Sequence, residues 1–391
     1  MSAVPRVAER GPNAPRWAET PRAAYVHVPF CARRCGYCDF TVVAGQDHLI
    51  AEYLRALRRE LRALDQQRTV DTLYVGGGTP TQLNASQLQQ LMHLLHTWLP
   101  LAPGGEFTVE ANPQGLDHSR LDVLLQSGVN RISLGVQSFV NRELAWLERD
   151  HTIEDLDAVI PMVRRMFDSV SLDLMFGVGG QSLTDWTHSL QSALRSEVDH
   201  VSTYGLTIEK GTNFWSRQRR GDLQVASDEL QRAMYAAAMD RLPAGGLTQY
   251  EISSFARPQH TSRHNQVYWS GDSYWGFGPG AARYVAGWRE TNHRSTSTWI
   301  KRITNGESAV ADRECLSIAD RARERLVLGL RTCRGVCSRE FERETGCVLT
   351  DLAGKEIEQH VGQGWLERCG SRIRLTRAGR FVADTVIRDM L

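Results

Sequence analysis

Short runs of β-forming residues, each followed by a loop and a stretch of helical periodicity, fill the first half of this 391-residue chain. Parallel strands are joined by crossovers that are usually helices, so this alternation predicts a parallel sheet with helices packed outside it. In the first connection Ile50, Leu54, Leu57 and Leu61 recur at steps of four and three residues, the spacing of one helix face. The six runs are AAYVHVPF (23–30), TLYVGGG (72–78), EFTVEAN (106–112), RISLGVQS (131–138), VSLDLMFGV (170–178) and HVSTYGLTI (200–208).

Six strand–helix units can form either a doubly wound sheet or an open, partial barrel. Polar and glycine residues recur at the carboxyl ends of several runs, at 76–80, 110–113, 137–138 and Asp173. Ligands bind around the whole carboxyl-terminal rim of a barrel, whereas in a doubly wound sheet they gather near one switch point. The spread of these residues therefore favours an α/β fold with a partial (β/α)6 barrel of the TIM type.

Composition divides the chain into four segments. Residues 1–22 hold four prolines and predict a flexible tail, 23–210 form the barrel, and 211–314 are an aromatic and glycine-rich extension of it. Residues 315–391 predict a small α+β domain of the winged-helix type, in which helices precede a hairpin. Its helices are expected near 320–331, 338–345 and 351–362, its hairpin within 365–376, and a last helix at 377–390.

Charge does not indicate a polyanionic partner, because 46 basic side chains face 45 acidic ones. Five arginines in the C-terminal segment would suit a DNA-binding winged helix, but acidic residues are mixed into the helices before them, and no nucleic-acid partner is predicted. These arginines are Arg368, Arg372, Arg374, Arg377 and Arg380.

Eight cysteines without a signal sequence predict a reducing compartment, the cytoplasm. A transit peptide is the alternative interpretation of the amino terminus, but Glu9 and Glu19 disfavour it. No window is long and apolar enough for a membrane span.

Cys31, Cys35 and Cys38 follow the first run in the sequence CARRCGYC. Three thiolates on one loop can hold three irons of a cubane iron–sulfur cluster and leave the fourth iron open to another ligand. A zinc site lacking its fourth ligand, or three unrelated buried thiols, are the alternatives. Zinc motifs usually come as paired Cys or Cys/His sets, and no such set is evident.

The glycine turn GGGTP (76–80) allows a ligand to approach the backbone closely, and it lacks the Lys-Ser/Thr ending of a phosphate loop. Beside the cysteine loop it predicts a cradle for a small zwitterion. Glu110, Gln137, Arg149 and Asp173 lie at or beyond neighbouring strand ends, where they suit an ammonium, ribose hydroxyls or a carboxylate. Separate salt bridges at the rim remain the alternative for each of them.

Taken together, these motifs resemble those of the radical S-adenosylmethionine (SAM) superfamily, and more narrowly the HemW family. That family contains the haem-chaperone relatives of oxygen-independent coproporphyrinogen oxidase. The resemblance runs from Ala23 over nearly the whole chain. The segments that carry it are YVHVPFC, YCDF, GGGTPT, EANP, RISLGVQSF, LDLMFG, QYEISSFA and HNQVYW.

The resemblance implies that Cys31, Cys35 and Cys38 hold a [4Fe–4S] cluster whose open iron binds SAM. It also implies haem as cargo, an acceptor haem protein, and an electron donor such as a flavodoxin or ferredoxin. The alternatives are a radical SAM enzyme that acts on a tetrapyrrole or another substrate through a 5′-deoxyadenosyl radical, and a purely structural cluster protein. The implied SAM-binding residues are Tyr25, Tyr37, Gly77, Gly78, Thr79, Glu110, Gln137, Arg149 and Asp173.

Two positions depart from related patterns. Phe40 stands where the porphyrinogen oxidases carry a further cysteine, which the chaperone branch also lacks, so oxidase activity is not expected. Ala282, in GFGPGAAR, replaces an expected histidine. His264, in HNQVYW, is a candidate haem ligand beside two aromatic residues, and a hydrogen-bonded core histidine is the alternative.

Overall fold

A computed structural model describes residues 20–391 of the chain. Residues 1–19, most of the predicted tail, lie outside the described residues, whereas Arg22 is part of the fold and pairs with Asp71. The strands are β1 (Ala23–Val28), β2 (Phe30–Cys31), β3 (Val43–Ala44), β4 (Val70–Gly77), β5 (Leu101–Ala111), β6 (Arg131–Gln137), β7 (Ser169–Phe176), β8 (His200–Gly205), β9 (Thr248–Gln249), β10 (Ser254–Ala256), β11 (Trp275–Phe277), β12 (Ala282–Val285), β13 (Trp288–Asn292), β14 (Val310–Cys315), β15 (Val336–Cys337), β16 (Leu366–Cys369) and β17 (Arg372–Leu375). The α-helices are α1 (Ile50–Arg62), α2 (Ala85–Trp98), α3 (His118–Gln126), α4 (Asn141–Trp146), α5 (Ile153–Met166), α6 (Leu183–Arg195), α7 (Asn213–Arg219), α8 (Asp228–Ala244), α9 (Arg263–Trp269), α10 (Thr296–Thr304), α11 (Ile318–Leu330), α12 (Ser338–Thr345), α13 (Leu349–Gly362), α14 (Arg377–Arg380) and α15 (Ala383–Arg388).

The central sheet has nine strands in the order β11-β1-β4-β5-β6-β7-β8-β10-β9. Its strands β1, β4, β5, β6, β7 and β8 are parallel and follow each other in chain order, and helices connect them. This confirms the predicted fold class, an open α/β barrel built from six strand–helix units. Because the carboxyl ends of all six parallel strands lie at one rim, the loops that follow them share that rim.

Burial on both faces explains why these runs form strands with helices outside them. In β1, Ala24, Val26 and Val28 are completely buried, and the predicted α1 face from Ile50 to Leu61 is buried against the sheet. The first predicted strand is interrupted at Pro29, which has no N–H to donate. After this break β2 pairs with β3 instead, and the Pro29 carbonyl accepts the Val43 N–H.

Three of the outer helices begin with reciprocal capping boxes, which satisfy backbone N–H groups at the helix start. The pairs are Asn84 with Gln87, Thr152 with Asp155, and Ser182 with Asp185. These caps fix the first residues of α2, α5 and α6. They therefore also fix where the rim loops that precede these helices end.

The segment 211–314 supplies strands to both edges of the barrel sheet, which the sequence pattern did not predict. The three-residue strand β11 runs parallel to β1, and β10 runs antiparallel to β8. The buried Glu60 on α1 fastens this segment, because its carboxylate accepts the Gly278 N–H at 2.8 Å and the Asn292 side-chain amide at 2.7 Å.

The C-terminal residues form a separate core around Leu326, Phe341 and Ile357, beneath the sheet β15-β17-β16. Helices α11, α12 and α13 precede the hairpin β16–β17, the predicted winged-helix order. The expected last helix is divided into α14 and α15.

The five arginines that would suit a DNA-binding winged helix all have partners within the chain. Arg368, Arg372 and Arg374 pair with Glu358, Glu340 and Glu367. Arg377 pairs with Asp240 on α8, and Arg380 donates to Gln249 on β9, so both reach the barrel. In the described part of the chain, no helix is long and apolar enough to cross a membrane.

Candidate functional site

A cavity of about 630 Å³ opens at the rim formed by the carboxyl ends of the parallel strands. The three cysteines line it, together with eight of the nine residues expected to bind SAM. Those eight are Tyr37, Gly77, Gly78, Thr79, Glu110, Gln137, Arg149 and Asp173. The ninth, Tyr25, and the candidate haem ligand His264 do not line this cavity.

The cysteine loop is partly buried, and its three thiols are free. A hydrogen bond from the Cys38 N–H to the Cys35 carbonyl closes its turn, and Cys31 Sγ lies 3.5 Å from Thr79 Oγ1. Burial raises the pKa of the Cys31 thiol to about 11 and also raises the pKa of Cys38. Metal binding at this loop therefore releases protons.

Helix α7 holds the cysteine loop from the side. The Phe214 N–H donates to the Gly36 carbonyl at 2.9 Å, and the Phe214 ring lies 6.1 Å from the ring of Tyr37. A Cβ atom on Gly36 would lie 2.2 Å from Phe214 Cε1, so only glycine fits here without movement of the ring. The loop conformation is thus coupled to a helix that lies outside the six strand–helix units.

Arg149 places a partly buried positive charge beside the cysteines. Its Nη1 lies 3.8 Å from Cys35 Sγ, and its Nη2 donates to Asn112 Oδ1 at 2.7 Å and to the Gly135 carbonyl at 2.9 Å. Its Nε is buried and has no hydrogen-bond partner among the described residues. A buried guanidinium normally pairs with an anion, and thiolates or a bound carboxylate would supply one.

Glu110 lies near the end of β5 as a partly buried carboxylate between Tyr74 and the glycine turn. It accepts from Tyr74 at 2.7 Å and from the Gly77 N–H at 3.0 Å. Burial raises its pKa to about 7, although both hydrogen bonds oppose this rise. A Cβ on Gly76 would lie 2.7 Å from this carboxylate, so the glycine permits the close approach.

Asp173 and Gln137 reach the cavity from β7 and β6. Ser133 donates to Asp173 at 3.2 Å, and burial raises the pKa of Asp173 to about 6. Gln137 has a φ of 67°, and the β6–β7 register shifts between Leu134 and Gln137. Such a bulge redirects the side chains that follow it, here towards the cavity.

Tyr25 supports the cysteine loop indirectly. Its hydroxyl lies 3.0 Å from His27 Nδ1, and His27 Nε2 lies 2.7 Å from the carbonyl of Thr41, just beyond the loop. Its expected role in binding SAM stays a prediction.

His264 lies on α9 beside the amino-terminal part of β4, at the opposite end of that strand from the glycine turn. The ring is buried, with Nδ1 2.9 Å from Thr72 Oγ1 and Nε2 2.8 Å from the hydroxyl of Tyr268 on its own helix. Ligation of haem by His264 stays a prediction, and it would require one of these two hydrogen bonds to break.

Sequence reasoning missed several residues that line the cavity. Asn112 bonds both Arg149 and, at 3.0 Å, Thr79, and Tyr204 enters from the end of β8. Asn112 could have been found within the segment EANP, which begins with Glu110. Tyr204 carries no such signal, because a tyrosine at a strand end is equally typical of a packing residue.

The cavity residues fit a cluster together with a zwitterionic ligand. Within residues 20–391, no three Cys, His, Asp or Glu side chains are close enough to hold a single metal ion. A cubane cluster instead binds each cysteine through a different iron, which allows wider spacing of the sulfur atoms. The Arg149 guanidinium, whose Nε has no partner among the described residues, suits an anionic group. The partly buried carboxylates of Glu110 and Asp173 suit a cationic or hydroxyl group.

Comparison with known families defines the class of protein. Residues 25–193 match the model of the radical SAM superfamily, and residues 316–382 match the HemN C-terminal domain. The coproporphyrinogen III oxidase HemN of Escherichia coli has a similar fold, with a TM-score of 0.84 and 22% identity, over 96% of this chain and 91% of that one. The chain is thus a radical SAM protein, and membership of that superfamily implies a [4Fe–4S] cluster and SAM.

Curated relatives narrow the class further. The haem chaperone HemW of Bacillus subtilis is 35% identical over 93% of this chain and 98% of its own length. HemW of Mycobacterium tuberculosis strain H37Rv is 36% identical over 95% of both chains. The mitochondrial radical S-adenosyl methionine domain-containing protein 1 of Bos taurus is 33% identical over 97% of this chain and 90% of its own. This chain belongs to the HemW family.

Proposed function

We propose that this chain binds haem and delivers it to an acceptor haem protein. In this proposal Cys31, Cys35 and Cys38 hold a [4Fe–4S] cluster, and SAM occupies the adjoining part of the cavity. The observation that carries the proposal is the convergence of three free thiols and a set of partly buried charged residues on one cavity. The names of the HemW relatives support the haem-related part.

The charged residues of the cavity have complementary tasks. Arg149 would balance the negative charge of the thiolates and bind a carboxylate through the N–H that lacks a partner among the described residues. Glu110 would accept an ammonium or hydroxyl donor beside the glycine turn, and Asp173 would hold a hydroxyl group. When bound, a reduced cluster and SAM supply one-electron chemistry that no amino-acid side chain provides.

The partners follow from this assignment. An electron donor of the flavodoxin or ferredoxin class would reduce the cluster, and an acceptor haem protein would receive the cargo. The cytoplasm is the proposed compartment, in keeping with the five further cysteines, which are free thiols.

A transfer assay tests the proposal. The chain is reconstituted anaerobically with iron and sulfide, loaded with haem, and mixed with apomyoglobin as a probe acceptor. We expect stoichiometric haem binding and transfer to the acceptor. The triple variant Cys31→Ala/Cys35→Ala/Cys38→Ala should lose the cluster, while the control Cys315→Ala/Cys369→Ala, which removes two exposed thiols, should keep it. A parent chain that binds no haem would contradict the proposal.

A radical SAM enzyme acting on a tetrapyrrole is the second candidate. It is favoured by the number of expected SAM-binding residues that line the cavity, a set that cargo transfer alone does not require. Formation of 5′-deoxyadenosine is followed in the same assay. Multiple turnovers coupled to a change in a tetrapyrrole would indicate the enzyme, and haem transfer without turnover would indicate the chaperone.

A further inference from the structure

Two exposed aromatic side chains face the cluster cavity. Phe40, just after the cysteine loop, is 69% exposed, and Tyr204, at the end of β8, is 42% exposed, and both line the cavity. Among the described residues, the other large exposed apolar side chains do not line it. Exposed apolar side chains gathered at one opening are typical of a ligand site.

These two rings come from the two ends of the series of six parallel strands. Phe40 follows β1, the first of the six parallel strands, whereas Tyr204 lies on β8, the last of them. In a flat sheet four strands would separate them. Because both line the same cavity, the curvature of the open barrel brings the two ends of the strand series to one opening.

A positive charge lies on the same rim. Arg34 is exposed, and its Nη2 donates to the Cys38 carbonyl at 3.3 Å, while no ion pair between Arg34 and a carboxylate is found in residues 20–391. Arg33 is also exposed and has a long contact, 3.4 Å, with Asp150. The cysteine loop therefore presents guanidinium N–H groups that can bind an anion.

The other candidate location for haem, around His264, offers no open space beside the imidazole ring. His264 is buried, and both ring nitrogens already have partners. Tyr74 stacks at 5.1 Å from its ring and Tyr268 packs edge-on at 5.1 Å, so neighbouring side chains occupy the space that a flat ligand would need.

We propose that haem binds at the mouth of the cluster cavity, between the rings of Phe40 and Tyr204, with a propionate paired to Arg34. This proposal rests on the haem-binding function proposed above and specifies its site. A tetrapyrrole is flat and largely apolar and carries its two carboxylates at one edge. Two aromatic rings and a guanidinium at one rim match that distribution.

Haem titration followed by the Soret absorbance tests the site on the full-length, reconstituted chain. We expect Phe40→Ala and Tyr204→Ala each to weaken haem binding by about tenfold, because each removes apolar surface that haem would cover. Tyr204→Phe keeps the ring and should stay within about twofold of the parent. The control Leu125→Ala removes an exposed apolar side chain on α3, outside the cavity, and should have no effect.

Haem dimethyl ester, whose propionates are neutral, tests whether Arg34 binds haem by pairing with a propionate. Arg34→Gln should weaken binding of haem by about tenfold but leave binding of the ester unchanged. Arg58→Gln, which replaces an exposed arginine on α1 that does not line the cavity, is the matched control.

The outcomes distinguish failure of the proposed haem site from failure of the proposed haem-binding function. If the parent binds haem, the Phe40, Tyr204 and Arg34 variants bind it equally well, and His264→Ala abolishes the Soret band, the proposed site is wrong while the haem-binding function stands. If the parent binds no haem, both proposals fail.

Discussion

The guanidinium of Arg149 lies 3.8 Å from the sulfur of Cys35 and meets no carboxylate among the described residues. Its hydrogen-bond acceptors, the Asn112 amide and the Gly135 carbonyl, are neutral. A partly buried charge without a hydrogen-bonded counter-charge is costly, and the thiolates and ligand carboxylate of the proposed function would supply that counter-charge. In that proposal Arg149 favours the thiolate form of the cysteines.

Replacing Arg149 by methionine should make a bound cluster harder to reduce. Removing a positive charge near the sulfur atoms disfavours the added electron, and we expect the reduction potential to fall by on the order of 50 mV. Potentiometric titration followed by electron paramagnetic resonance measures this shift. Arg58→Met on the outer helix α1 is the control, and an unchanged potential in Arg149→Met would refute the electrostatic role.

The stability of the ligand-free chain should depend on pH through Glu110. Its pKa is raised from 4.5 to about 7 by burial, so the native state keeps a proton that the unfolded chain has already lost. The contribution of Glu110 to the free energy of unfolding is complete below pH 4.5 and is lost as the pH rises to about 7. The loss is about 3 kcal/mol at most. Glu110→Gln removes this dependence.

Urea unfolding between pH 4.5 and 7 measures the difference between the parent and Glu110→Gln. Glu52→Gln, at an exposed position on α1, serves as the control. Parallel stability curves for the parent and Glu110→Gln would show that Glu110 does not titrate in this range.

Gly36→Ala should disturb the cysteine loop by forcing the Phe214 ring away. We expect the displaced loop to bind less iron and sulfide per chain after anaerobic reconstitution, about half of the parent's content. In the presence of Phe214→Ala, Gly36→Ala should cost less iron, because the clash is gone. Gly362→Ala, with no neighbouring atom within 4 Å, is the control. Equal iron losses in both backgrounds would mean that α7 does not constrain the loop.

Glu60→Ala should destabilise the fold by about 3 kcal/mol, because it leaves the Gly278 N–H and the Asn292 amide buried without this acceptor. Glu60→Gln keeps one acceptor and should recover part of this loss. Denaturant unfolding measures both, with the exposed Glu52→Ala as a control within about 0.5 kcal/mol of the parent. A small effect of Glu60→Ala would show that the Glu60 carboxylate does not hold the segment 211–314 to α1.

The sequence allowed prediction of those features that have a local signal. The six parallel strands, the buried face of α1 and the hairpin near Arg372 follow from short-range periodicity. The cysteine spacing and the glycine turn likewise depend on neighbouring residues only. The structure agrees with these expectations because secondary structure and capping act over a few residues.

Features that depend on distant contacts were not predictable. The edge strands β10 and β11 have three residues each, too few for any periodicity, and they form only because β8 and β1 offer unpaired edges. The placement of Phe40 and Tyr204 around one cavity depends on the curvature of the sheet, and the contact of Phe214 with Gly36 joins residues far apart in the chain. The link from Tyr25 through His27 to the backbone beyond the cysteine loop likewise has no signal in the sequence.

The barrel sheet ends in β11 on one side and in β9 on the other, with three and two residues respectively. A sheet that does not close exposes backbone donors and acceptors at its borders, where a foreign strand can attach and begin aggregation. Borders this short present very few such groups. The protein therefore gains the wide opening of an incomplete barrel without the tendency to polymerise that long open borders would bring.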